Sequence, residues 1–78
     1  MGNYTIKGLA KANECEELNA NGLADVWAYW LECNCNDTQS IENFRKLRKK
    51  DRQSMLDYLR FCTFHRELYN HLVSHLYD

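Results

Sequence analysis

The chain contains no proline, and its three glycines stand at positions 2, 8 and 22. Without proline there is no built-in helix stop, and so few glycines leave little material for the tight turns of a hairpin-rich sheet protein. No stretch alternates apolar with polar residues as a half-buried strand does. No window approaches the ~18 consecutive apolar residues of a membrane span. The opening MGNYTIKGL has no apolar run of the kind a secretory signal carries. The expected location is therefore the cytoplasm, where the sequons Asn3-Tyr4-Thr5 and Asn36-Asp37-Thr38 carry no meaning and reduced cysteines are the default. Catalytic motifs are missing too. There is no Gly-rich phosphate loop, Ser40, Ser54 and Ser74 lack an elbow-like setting, and Cys15, Cys33, Cys35 and Cys62 have no readable His/Asn partnership. A non-enzyme without a cofactor is the expectation.

What is present suits one small helical domain spanning residues 1–78. An apolar share of 45% with ten aromatic side chains is enough for one core, although a chain this short buries only roughly 60–65% of its unfolded surface. The fold class expected is all-α, a small bundle of about four helices. Their approximate spans are 5–18, 23–34, 41–50 and 52–77. Asn19-Ala20-Asn21-Gly22 is the clearest breaker between the first two. In the second, Leu23, Val26, Trp27, Trp30 and Leu31 follow the spacing of a single buried face, with Asp25, Tyr29 and Glu32 opposite. Cys35–Gln39 reads as a polar loop and Ser40 as the N-cap of the third helix. The last helix would reach nearly 40 Å at ~1.5 Å per residue and so act as the scaffold for the others. Its wide apolar arc includes Met55, Tyr58, Leu59, Phe61, Cys62, His65, Leu68 and Leu72. Leu56 and Phe64 fall among polar neighbours outside that arc.

Charge is segregated along the chain. Residues 1–42 carry two basic and seven acidic side chains, and residues 43–78 carry eight basic and four acidic ones. Six of the cations lie between Arg45 and Arg52. Arg45, Lys46, Lys49 and Lys50 on one helix would form a phosphate-binding surface, with Gln39, Ser40, Asn43 and Arg45 placed like the start of a recognition helix. Against this stands a net charge of −1, where nucleic-acid domains are usually basic. The plainer alternative is a solvated face whose cations suit the C-terminal end of a helix dipole.

Two metal patterns are readable. Cys33 and Cys35 with Cys62 and His65 would complete a Cys₃His tetrahedron for zinc. His71 and His75, four residues apart beside Glu67, have a second ligand-like spacing. A Cys-x-Cys pair is unusual in zinc sites, and a histidine on an apolar face is more often a hydrogen-bonded core residue, so no metal is expected.

The exposed aromatics carry the remaining signal, because aromatic side chains beside arginine dominate protein interfaces. In general character the chain resembles the small single-domain proteins that phages and mobile elements use to bind and inhibit host machinery. It is very short, free of proline, rich in Asn and aromatics and without a catalytic motif, but the resemblance covers no specific motif. The leading expectation is a helical interaction protein that binds and modulates a protein partner with an acidic surface, through Arg45, Lys46, Lys49, Tyr29 and Phe64. Alternatives are a nucleic-acid-binding regulator using helix 41–50 and a small zinc-stabilised domain. A homodimer is compatible with either surface.

Overall fold

A computed structural model describes residues 2–33 and 38–76, the side chains of His75 and Leu76 excepted. The order of elements is α1 (Ile6–Ala12), α2 (Ala20–Cys33), α3 (Thr38–Phe44), α4 (Lys49–Phe61), a 3₁₀ turn (Thr63–His65) and α5 (Arg66–Leu76). The all-α expectation holds. There is no strand among the described residues, only one isolated parallel bridge between Tyr4 and Leu47.

The helix bounds differ from the pattern-based ones, each for a local reason. α1 stops at Ala12 instead of running to about residue 18. Asn13 caps it and Glu14 turns left-handed at φ 58°. The Glu14 amide then donates to the Lys11 carbonyl and the Cys15 amide to that of Ala10, the paired bonds of a Schellman ending. α2 starts at Ala20, so the expected breaker is its first turn. The Asn19 side chain accepts from the Gly22 amide at 3.0 Å, which is N-cap chemistry. Gly22 is buried, and only glycine fits there because a Cβ would strike the Glu17 carbonyl.

α3 begins at Thr38 and ends at Phe44. Ser40, expected as its cap, is instead buried inside it with its hydroxyl unbonded. Of the expected 35–39 loop, Cys35 to Asp37 lie outside the described residues and Thr38 and Gln39 are helical. The last turn tightens, with the Lys46 and Leu47 amides donating three residues back, to Asn43 and Phe44. The basic run therefore crosses a turn and an extended link before α4 begins.

The long C-terminal scaffold helix is also overturned. Cys62 adopts φ −102°, ψ 107° and separates α4 from the 3₁₀ turn and α5. A continuous rod from residue 52 to 77 would be nearly 40 Å long, whereas the molecule measures 25 × 25 × 24 Å. Folding it back brings Leu68 and Leu72 into the same core as Met55 and Leu59. Phe61-Cys62-Thr63-Phe64-His65 is where the chain bends, and all five are mediocre helix formers at about 0.5–0.7 kcal/mol each below alanine.

The centre of the fold is α2, which packs against α1, α3, α4 and α5. Leu23, Ala24 and Trp27 form its sealed stripe, while Asp25, Tyr29 and Glu32 face outward as the periodicity predicts. The Trp27 indole meets the Phe44 ring edge-on at 5.8 Å and donates to the Asn43 Oδ1 at 2.6 Å. Asn13 Nδ2 donates to the same oxygen at 2.8 Å. One buried amide thus ties α3, α2 and the end of α1 together, and satisfies the indole N–H that burial would otherwise strand.

Candidate protein interface

The cationic run divides into two parts with different work. Arg48 Nε donates to Asp51 Oδ1 at 2.6 Å, and the Ile6 amide donates to Asp51 Oδ2 at 2.6 Å. Asp51 is buried. Burial pushes its carboxyl up, but the Arg48 guanidinium, the Ile6 amide and nearby Lys50 outweigh this and hold it below the ordinary carboxylate range. Its charge sits at the positive end of α1, whose first turn is also capped by Thr5 Oγ1 accepting from Gly8. Tyr4 completes this clasp. Its amide donates to the Lys46 carbonyl at 3.0 Å and its carbonyl accepts from the Arg48 amide at 2.9 Å. Gly2 lies so close to the 45–47 backbone that a Cβ would collide with the Leu47 carbonyl.

Arg45, Lys46 and Lys49 remain exposed around that clasp. Lys49 opens α4, so it faces the positive end of a dipole and not the negative end the sequence suggested. The recognition-helix arrangement loses its parts as well. α3 carries no lysine or arginine, and Ser40 and Asn43 point into the core.

Phe64 belongs to a different surface. Lys49 and Phe61 begin and end α4, which puts them about 18 Å apart along its axis. Phe61, expected on the core side, is 80% exposed because the chain breaks after it, and Phe64 is 92% exposed. The Arg60 guanidinium lies over the Phe61 ring at 5.7 Å. Beside them Leu59, Arg60, Arg66, Tyr69 and Asn70 line a cleft of about 280 Å³. The structure therefore groups Phe64 with Phe61, Arg60 and Arg66, not with Lys49. The missed signal was the low helix propensity of residues 61–65, which would have predicted a corner there.

Tyr29, 63% exposed on α2, belongs to a third surface. It lines a groove of about 460 Å³ with Asn13, Glu16, Glu17, Gly22, Asp25, Val26 and Trp30. No lysine or arginine lines it.

The metal pattern is not assembled. Among the described residues no group of His, Cys, Asp and Glu could hold an ion. Cys33 ends α2, eight residues from Asp25, or about 12 Å along the helix. His65 Nε2 reaches Asp25 Oδ1 at 3.4 Å, so Cys33 is far from the His65 side. Cys35 and the His75 side chain lie outside the described residues. Cys62 adjoins Tyr58, whose phenol is pushed up by burial, then by the Cys62 sulfur and the Asp25 and Glu17 carboxylates. Tyr58 donates to Asn21 Oδ1 at 2.8 Å, joining α4 to α2. Burial and then Asp25 also push the Cys15 thiol up, away from the thiolate that a nucleophile needs.

No family model, no curated protein and no solved structure matches the chain.

Proposed function

We propose that this is a non-enzymatic interaction protein that engages an acidic protein partner through the α4–α5 corner, with Phe61 and Phe64 as anchors and Arg60 and Arg66 beside them. One observation carries the reading: two phenylalanines within three positions are 80% and 92% exposed. Fully burying each against a partner would contribute about 1.5–3 kcal/mol. An exposed cation paired across an interface rim contributes about 0–1 kcal/mol. This difference favours the corner over the turn at Arg45, Lys46 and Lys49 as the source of affinity. The cleft between Arg60 and Arg66 suits a carboxylate of the partner, since guanidinium groups bind carboxylates in a fork geometry. Modulation or inhibition of the partner would follow from occupying its surface.

The test is affinity capture from a nuclease-treated lysate by the wild-type chain, a Phe61→Ser/Phe64→Ser double variant and a Lys46→Glu/Lys49→Glu double variant. Loss of capture by the phenylalanine pair alone supports the corner. Loss by the lysine reversal alone moves the interface to the clasp end. Capture that disappears with nuclease in every form points to nucleic acid. Self-association lost in the Phe61→Ser/Phe64→Ser variant, followed by sedimentation, would make the occupant a second copy.

A further inference from the structure

The groove on the outer side of α2 has a composition opposite to that of the proposed corner. Glu16 and Glu17 come from the link between α1 and α2, and Asp25, Val26, Tyr29 and Trp30 from α2 itself. Carboxylates alone would describe a solvated acidic face. Here they border an open groove of about 460 Å³ that also holds two aromatic side chains and Val26, large enough to seat an organic side chain. The carboxylates are poorly compensated. Neither Glu16 nor Glu17 pairs with a lysine or arginine among the described residues, and among them the ion-pair contact of Asp25 is with the His65 imidazole. Glu17 accepts one neutral hydrogen bond, from Asn21 Nδ2 at 2.7 Å.

The walls are held in place by local structure. The left-handed Glu14 ends α1 and begins the link that carries Glu16 and Glu17. The Gly22 backbone, pressed against the Glu17 carbonyl, fixes the link to the first turn of α2. Tyr29 is 63% exposed, so much of its side chain is open to a ligand.

We propose that this groove receives arginine side chains from a basic segment of a partner protein. A planar guanidinium stacks on the face of an aromatic ring and donates in parallel to a carboxylate, two demands that the Tyr29–Trp30 and Glu16–Glu17–Asp25 groups meet together. An ammonium group would use the carboxylates but would gain less from the rings. An uncharged apolar peptide would leave the carboxylates desolvated and unpaired. The assignment is independent of the α4–α5 corner, and its test does not use the corner's partner.

The probe is an end-blocked tetra-arginine peptide, with tetra-citrulline as its uncharged counterpart of the same shape, followed by amide chemical shifts of the full chain. The arginine peptide should move the signals of Glu16, Glu17, Asp25, Tyr29 and Trp30 saturably, and the citrulline peptide should not. A Glu16→Gln/Glu17→Gln variant should bind at least about tenfold more weakly, the loss expected for a charge-assisted contact. Tyr29→Leu, which keeps apolar bulk without a π face, should weaken binding of the arginine peptide by about three- to fivefold. Thermal melts of both variants should match the wild type, since the substituted side chains are exposed. Equal shifts with citrulline, shifts spread over every acidic residue, or unchanged affinity in both variants would overturn the proposal. So would concentration-dependent shifts of the same signals without peptide, accompanied by self-association in sedimentation, because the occupant would then be the basic turn of a second copy.

Discussion

The two ends of α4 treat similar side chains in opposite ways. At its start, Arg48, Asp51 and Tyr4 are bound into a clasp that closes the N-terminal segment onto the 45–51 region. At its end, Arg60, Phe61, Phe64 and Arg66 stand open, with an arginine over a ring as their only described contact of that kind. The clasp spends charge on folding, because a carboxylate out of water must be paired and hydrogen-bonded. The corner has no such obligation, since an exposed phenylalanine needs no partner for the fold to stand. The lesson is that the densest run of charge in a sequence need not be the recognition surface. Part of it can be internal structure.

Breaking the clasp should give the largest effect on stability and none on the corner. Asp51→Ala removes the acceptor for the Ile6 amide and for Arg48, and should cost about 2 kcal/mol in urea unfolding. Partner capture at a temperature where the variant is folded should be unchanged. The same group sets an acid limb. Its folded carboxyl titrates below its ordinary value of about 3.8, so the unfolded chain binds the extra proton first as pH falls. Its stabilisation is full above that value, declines below it and is gone once the pH passes the lower folded value. Asp51→Asn should flatten that part of a stability–pH curve.

A milder break is Gly2→Val. The new side chain cannot fit against the Leu47 carbonyl, and displacement of the segment should cost about 1–2 kcal/mol. Amide hydrogen exchange is the sharper reading, because Tyr4 and Arg48 should lose protection while Trp27 keeps it. A variant in neither region serves as a reference. Glu14→Gly relieves a left-handed backbone at a position that favours glycine, and should raise stability by about 0.5–1 kcal/mol in thermal unfolding.

The smallest stability effect sharpens the comparison most. Phe61→Ser/Phe64→Ser should shift unfolding by no more than about 0.5 kcal/mol per site, as expected for exposed positions, yet abolish partner capture. If that pair instead destabilises like a core change, the corner is a structural surface and the contrast between the two ends of α4 disappears.

Much of the fold was legible in residue spacing. The all-α class, the burial of Leu23 and Trp27 on α2 and the outward turn of Tyr29 follow from a 3.6-residue period, whereas Val26, Trp30 and Leu31 of the expected stripe are only half-buried. The site was legible only in fragments. Tyr29, Phe64 and Lys49 were each recognisable as surface side chains, but their assignment to three separate surfaces required the chain path. Phe61 was misread because a wheel drawn through residue 62 assumes an unbroken helix. Asp51 was unremarkable in the charge run, since its partner amide lies 45 residues away.

Composition and periodicity alone determined that this chain makes helices, that Leu23 and Trp27 would face the core and Tyr29 the solvent on α2, and that its charge would be uneven. These depend on side-chain chemistry and local backbone geometry, which neighbours within a few turns settle. Only the tertiary structure decided where helices end, which cations are consumed and which aromatics stay open. A core of this size, within a molecule about 25 Å across, cannot be covered by one long rod. Closing it bends the chain at Cys62, turns Phe61 and Phe64 outward, and draws Asp51 beneath the first turn of α1.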